Sequence, residues 1–213
     1  MMGREFDQLF DQWALTYDDT VYGTDEQYKE VFSNYEEILD EVAKLSLGSV
    51  LEFGVGTGNL TKRLLNREHK VIGIEPSKEM RKIAKQKLPH LQIMEGDFLA
   101  YPKISEPIET IVSTYAFHHL TDEEKQTAIK RYANMLSTGN KIVFADTMFV
   151  SDQAKQEMID QAKINQFHRL AEDLQTEYYT TLPILEEFFQ LENFTVHFTK
   201  KNPFVWILEA VKK

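Results

Sequence analysis

Gly54, Gly56 and Gly58 fall within five residues, in the run Val50-Leu51-Glu52-Phe53-Gly54-Val55-Gly56-Thr57-Gly58-Asn59, and make up three of the nine glycines of the chain. Glycine lets a backbone turn tightly and lets a ligand approach it closely. A strand-like stretch precedes the run and a helical one follows, so the free N–H groups of the helix start would face an anionic group. The same glycines could make a bare turn, but their place between strand and helix favours a ligand. The dinucleotide fingerprint G-x-G-x-x-G needs its third glycine at position 59, where Asn59 stands. About twenty residues beyond Gly54, where an acid can accept the hydroxyls of a ribose, comes Glu75 in Ile72-Gly73-Ile74-Glu75-Pro76-Ser77. Further on, Glu95-Gly96-Asp97-Phe98 offers Asp97 to an adenine amino group and Phe98 to the ring, although Gly-Asp is also ordinary turn chemistry.

A second group is Tyr115, Phe117, His118 and His119. One histidine could act as a general base near neutral pH, or could instead cap the next helix or pack beneath the loop. Consecutive side chains point in different directions, so the two are not expected to share one job. Asp146 could touch an acceptor or a metal, yet nothing in its spacing from Asp97 or the histidines requires a metal, and none is expected.

These residues need elements to position them. Tyr28, Val31, Phe32, Tyr35, Ile38, Leu39, Val42 and Leu45 recur at spacings of three and four, which predicts an amphipathic helix ending near Gly48. Short apolar strands then alternate with helices: strands at 49–53, 70–74, 91–95, 110–115 and 141–147, helices at 59–67, 77–88 and 121–136. Thr121 with Glu124 three positions on fits a capping box. A helical stretch over 151–174 and another over 183–190 follow. Strands at 194–199 and 204–211 are separated by four residues, which permits an antiparallel hairpin but no helical crossover. The expected fold is α/β: a Rossmann-like, seven-stranded, mostly parallel sheet with helices on both faces and an antiparallel C-terminal strand. No linker divides the chain, so one domain over 1–213 is expected, with a helical cap (1–47), a core (48–147), a helical insertion that could be a lid (151–180), and a last helix and hairpin (181–213).

Composition excludes several classes. The chain has 34 acidic and 24 basic residues, a formal net charge of −10, which argues against general affinity for nucleic acid or anionic membrane. Cysteine is absent, so disulfides, thiolate metal sites and a cysteine nucleophile are excluded. No apolar run approaches the ~18 residues of a membrane span, and the start turns acidic before any signal-peptide core. A cytoplasmic protein, monomeric or homodimeric, is expected.

Glu52-Phe53-Gly54-Val55-Gly56-Thr57-Gly58, Glu75 and Gly96-Asp97-Phe98 together resemble the S-adenosylmethionine site of class I methyltransferases, over about residues 49 to 147 and without departure from the pattern. Gly3-Arg4-Glu5-Phe6, the segment from Ser113 to Glu124 containing Tyr115-Ala116-Phe117-His118-His119-Leu120, and Phe144-Ala145-Asp146-Thr147 resemble the YrrT-type bacterial methyltransferases over nearly the whole chain. The resemblance implies methyl transfer from S-adenosylmethionine, leaving S-adenosylhomocysteine, with ligand positions on Gly54, Glu75 and Asp97. Glu52, Gly56, Gly58, Asn59, Pro76, Phe98 and Ser113 are further cofactor-site candidates within the matched motifs. In related enzymes a segment such as Phe10-Asp11-Gln12-Trp13-Ala14-Leu15-Thr16-Tyr17-Asp18 folds over the cofactor. Tyr17 could then bond its methionine portion and Trp13 could wall the pocket, or both could simply pack.

Methyl transfer from a sulfonium is an in-line displacement in which positioning can account for roughly 7–11 kcal/mol of barrier and water must be kept out. Tyr115, His118 and His119 are the catalytic candidates. A covered, acidic pocket suits a small-molecule acceptor. Three readings compete: a non-catalytic S-adenosylmethionine-binding module, an NAD-dependent oxidoreductase, disfavoured by position 59 and the terminal hairpin, and an aminopropyl transferase, for which no diagnostic acidic motif is present.

Overall fold

The structure, a computed structural model, describes residues 11 and 14–213. Trp13 and the run Gly3-Arg4-Glu5-Phe6 lie outside the described residues. In chain order the elements are α1 (Tyr35–Leu45), β1 (Ser49–Phe53), α2 (Asn59–Asn66), β2 (Lys70–Glu75), α3 (Lys78–Lys87), β3 (Gln92–Glu95), β4 (Thr110–Thr114), α4 (Asp122–Met135), β5 (Lys141–Thr147), α5 (Asp152–Ile164), α6 (His168–Thr176), α7 (Leu182–Leu191), β6 (Phe194–Lys200) and β7 (Val205–Lys212).

The strands form one seven-stranded sheet in the order β3-β2-β1-β4-β5-β7-β6. β7 runs antiparallel to both β5 and β6, and the remaining pairings are parallel. The expected fold class is therefore observed. The chain winds outward from β1 through β2 to β3, then returns to open β4 on the other side of β1. That reversal leaves a crevice at the carboxyl ends of β1 and β4, where ligands bind in open α/β sheets.

Alternation along the strands loads both faces. Val50, Val112, Val143 and Ala145 pack with α1, α2, α5 and α6 on one face. Leu51, Phe53, Ile111, Ile142 and Phe144 pack with α4 and α7 on the other. Such a doubly covered sheet needs strands that are apolar almost throughout, and every residue of β2 after Lys70 is buried. Helix starts are fixed chemically. The Ser77 hydroxyl accepts the Met80 N–H at α3, and Thr121 and Glu124 form the expected capping box at α4, caps of about 1 kcal/mol each.

Two expectations need correction. The helix read from Tyr28 to Leu45 begins only at Tyr35. Residues 26–34 form turns, and Asn34 takes φ +63, a left-handed conformation that no helix interior tolerates. Tyr28, Val31 and Phe32 still pack on the core, which is why their spacing imitates a helix. Likewise 151–174 is two helices, α5 and α6, broken where Gln166 adopts φ +60.

Candidate active site

Behind β1 the chain turns through Gly54, Gly56 and Gly58 at φ +69, +57 and +90, all in the left-handed region. A Cβ at Gly54 would lie 2.9 Å from the Ala116 side chain, so that glycine also lets the turn close against the loop after β4. The Gly56 N–H donates to Glu75 Oε2 at 2.8 Å, and the Ser77 N–H donates to Glu75 Oε1 at 2.8 Å. Glu75 is buried, and these two bonds fix its carboxylate at the end of β2. Asp97 Oδ1 accepts the N–H groups of Leu99 and Ala100 at 2.8 and 2.6 Å. The turn chemistry therefore holds for Asp97, and it orients the carboxylate. Phe98 stacks on Phe53 with centroids 5.4 Å apart.

These groups border a cleft of about 840 Å³, lined by Gly54, Gly56, Glu75, Pro76, Asp97 and Phe98 among others. The structure thus brings six of the expected cofactor residues together. Tyr17, from the helical turn Tyr17–Asp19, lines it as well. Four expected residues lie outside the lining. Gly58 packs towards Leu88, which a Cβ would approach to 3.2 Å. Asn59 gives its amide to Asp18 and Tyr35. Glu52 is sunk beneath the turn, accepts the Thr61 hydroxyl at 2.6 Å, and burial pushes its carboxyl up to about 8. The Ser113 hydroxyl is buried with no hydrogen-bond partner among the described residues. None of these four lines the cleft. Met80, Leu99, Thr114, Ala116, Leu120 and Glu124 also line the cleft; the capping-box role of Glu124 concealed its second position.

Asp18 ties the N-terminal segment to the glycine turn. Burial opposes its charge, but hydrogen bonds from Lys87, Thr57 and Asn59 outweigh that and hold the carboxyl below its ordinary range. Thr57 donates to Asp18 at 2.7 Å.

A second chamber of about 1170 Å³ adjoins the first, and Tyr17, Tyr115 and His119 line both. Its far wall comes from α6 and the segment after it, through Arg169, Asp173, Glu177 and Tyr179. Tyr115 has φ +53, a conformation a bulky residue keeps only where its surroundings enforce it. Its ring sits 5.2 Å from Phe32 and 5.5 Å from Tyr35, and its hydroxyl is buried with no hydrogen-bond partner among the described residues.

The two histidines differ. His118 Nδ1 lies 2.6 Å from Asp146 Oδ1 and Nε2 lies 3.2 Å from Glu177 Oε2. Burial disfavours its charge, but the Asp146 and Glu177 carboxylates outweigh burial and push it up to about 10. A cation with both ring nitrogens engaged has no site for a proton, so His118 is not placed to be the base that its position after β4 invited. Burial and the His118 charge bring His119 down to about 3, leaving it a neutral imidazole at the wall between the chambers. His118, His119 and Glu177 offer ligand atoms within 4.8 Å of one another; the imidazolium–carboxylate pairing satisfies His118 and Glu177 without an ion.

A cleft whose ends hold a fixed, buried carboxylate, an Asp-anchored turn and an open left-handed glycine turn fits a nucleoside cofactor. Sheet order and site together define a class I S-adenosylmethionine-dependent methyltransferase. A methyltransferase-domain family model matches residues 50–139. An "uncharacterized methyltransferase" of Anoxybacillus flavithermus is 58% identical over 212 residues, covering 100% of both chains, and one of Bacillus cytotoxicus is 58% identical over 213 residues, again covering 100% of both. The chain belongs to this methyltransferase family, and S-adenosylmethionine is its cofactor. Among solved structures, magnesium protoporphyrin IX methyltransferase from Synechocystis PCC 6803 with bound S-adenosylmethionine shares the fold at TM-score 0.72 and 15% identity, covering 100% of this chain and 98% of that one. A possible histamine N-methyltransferase from Thermotoga maritima shares it at TM-score 0.68 and 16% identity, covering 98% of this chain and 100% of the other.

Proposed function

We propose that this methyltransferase acts on a small-molecule acceptor held in the second chamber. The observation that carries the reading is the shared wall: Tyr17, Tyr115 and His119 border both chambers, so two ligands would meet there. In the first chamber Glu75 would hold the ribose hydroxyls, Asp97 the adenine amino group, and the turn Gly54–Gly56 would admit the rest of the cofactor. S-adenosylmethionine supplies a methyl group already activated on a sulfonium. The chain's own residues orient the acceptor and exclude water. Tyr115, with an unsatisfied buried hydroxyl, would fix the acceptor; His119 would accept a hydrogen bond, and His118 would hold Glu177 and Asp146 in place.

The helical insertion over 151–180 would act as the cover of the acceptor chamber. Its contribution of Arg169, Asp173 and Tyr179 to the wall supports that role, and the formal net charge of −10 disfavours a polyanionic acceptor. No described helix is long and apolar enough to cross a membrane. A test is incubation with methyl-labelled S-adenosylmethionine and a metabolite extract. Enzyme-dependent label in the small-molecule fraction is expected; label only in protein or nucleic acid would reject the small acceptor.

A further inference from the structure

We infer that the acceptor carries an ammonium group, recognised by Asp173 and the aromatic rings around it. The inference rests on reading the second chamber as the acceptor site. Four carboxylates line that chamber, from Asp25, Glu172, Asp173 and Glu177, against two cations, Arg169 and His118. Both cations are already engaged. Arg169 pairs with Asp25, and His118 lies between Asp146 and Glu177. Glu172 is exposed to solvent. Asp173 is half-buried, and its carboxylate accepts the Tyr28 hydroxyl.

A carboxylate withdrawn from water is costly unless charge or hydrogen bonds compensate it. Burial raises the Asp173 carboxyl above its ordinary range; the Tyr28 hydrogen bond and, more weakly, the His118 charge oppose that, and the charges of Glu177 and Glu172 reinforce it. Among the described residues, neither cation of the chamber is paired with Asp173. Tyr28, Phe32, Tyr115 and Tyr179 line the space, and aromatic faces attract cations, as Arg169 over the Tyr28 ring and Lys155 over the Tyr179 ring already show. Tyr115 lines the wall with the cofactor chamber, and its hydroxyl, buried and without a partner among the described residues, would be a second acceptor. An ammonium has three N–H donors and can meet a carboxylate and a hydroxyl at once. A carboxylate-bearing acceptor would be repelled by Asp173, and an alcohol would offer it a hydrogen bond but no opposite charge.

The test uses three probes of similar size, phenethylamine, 2-phenylethanol and 3-phenylpropionate, titrated by ligand-observed NMR into the full chain saturated with S-adenosylhomocysteine. The amine is expected to bind at least about tenfold tighter than the other two, the ratio that corresponds to ~1.4 kcal/mol. Asp173→Asn is expected to remove that preference while binding S-adenosylhomocysteine normally, which also shows that the variant folds. Glu186→Gln, the same charge change on an exposed carboxylate of α7, is expected to keep the preference. Any other order of the three probes, no binding by any of them, or a preference that survives Asp173→Asn overturns the inference. S-adenosylhomocysteine binding in the same samples separates that failure from a failure of the cofactor site.

Discussion

At the scale of single residues, the site depends on groups whose charge is fixed by what they touch. Glu75 is held by two backbone N–H groups, from Gly56 and Ser77, so it is pre-oriented before a ligand arrives. Glu75→Ala is expected to weaken S-adenosylhomocysteine binding by about 1.5–3 kcal/mol, the scale for hydrogen bonds to a charged group. Calorimetric titration checks this, and unchanged affinity would remove Glu75 from the ribose site. Much of this was legible in sequence, because strand-end acids and glycine turns are local features whose spacing survives folding. Burial was not. Glu52 stands two residues from Gly54, yet its side chain turns into the space under α2 to meet Thr61, and strand alternation alone does not say which face carries the ligand. The opposite charge states of His118 and His119 were equally hidden, since Glu177 reaches His118 only through the folding of a distant segment.

At the scale of elements, the segment after α6 is clamped from three sides. Glu177 meets His118, Lys125 Nζ donates to the Tyr178 carbonyl at 2.5 Å, and Thr181 bridges Phe149. Since His118 is raised from 6.5 to about 10, the folded state binds its proton more tightly than the unfolded chain does. The stability this confers is full below about pH 6.5 and is lost as pH rises through 10. His118→Asn is expected to speed amide exchange over 177–181 and to flatten the fall of Tm between pH 7 and 10. Cofactor affinity should stay within about twofold. An unchanged exchange pattern would show that His118 does not hold the cover. The sequence read α5 and α6 as one helix because both carry apolar residues at helical spacing; the left-handed Gln166 between them has no compositional mark, unlike a glycine.

At the scale of the whole molecule, the mostly parallel seven-stranded sheet and its antiparallel C-terminal strand were readable from the alternation of strands and helices and from a four-residue hairpin connection, whereas the strand order was not read. The second chamber was readable only so far as the insertion over 151–180 could be its lid. It is assembled from the N-terminal turns, the loop after β4 and the insertion, which are far apart in the chain, so no local pattern announces it. The claim that two ligands meet at the Tyr17–Tyr115–His119 wall is tested most directly by a crystal structure of the protein with S-adenosylhomocysteine bound. The account predicts the ribose on Glu75, the adenine beside Asp97, and the sulfur facing the wall shared with the second chamber. A sulfur directed away from Tyr115 and His119, or a nucleoside bound elsewhere, would contradict it.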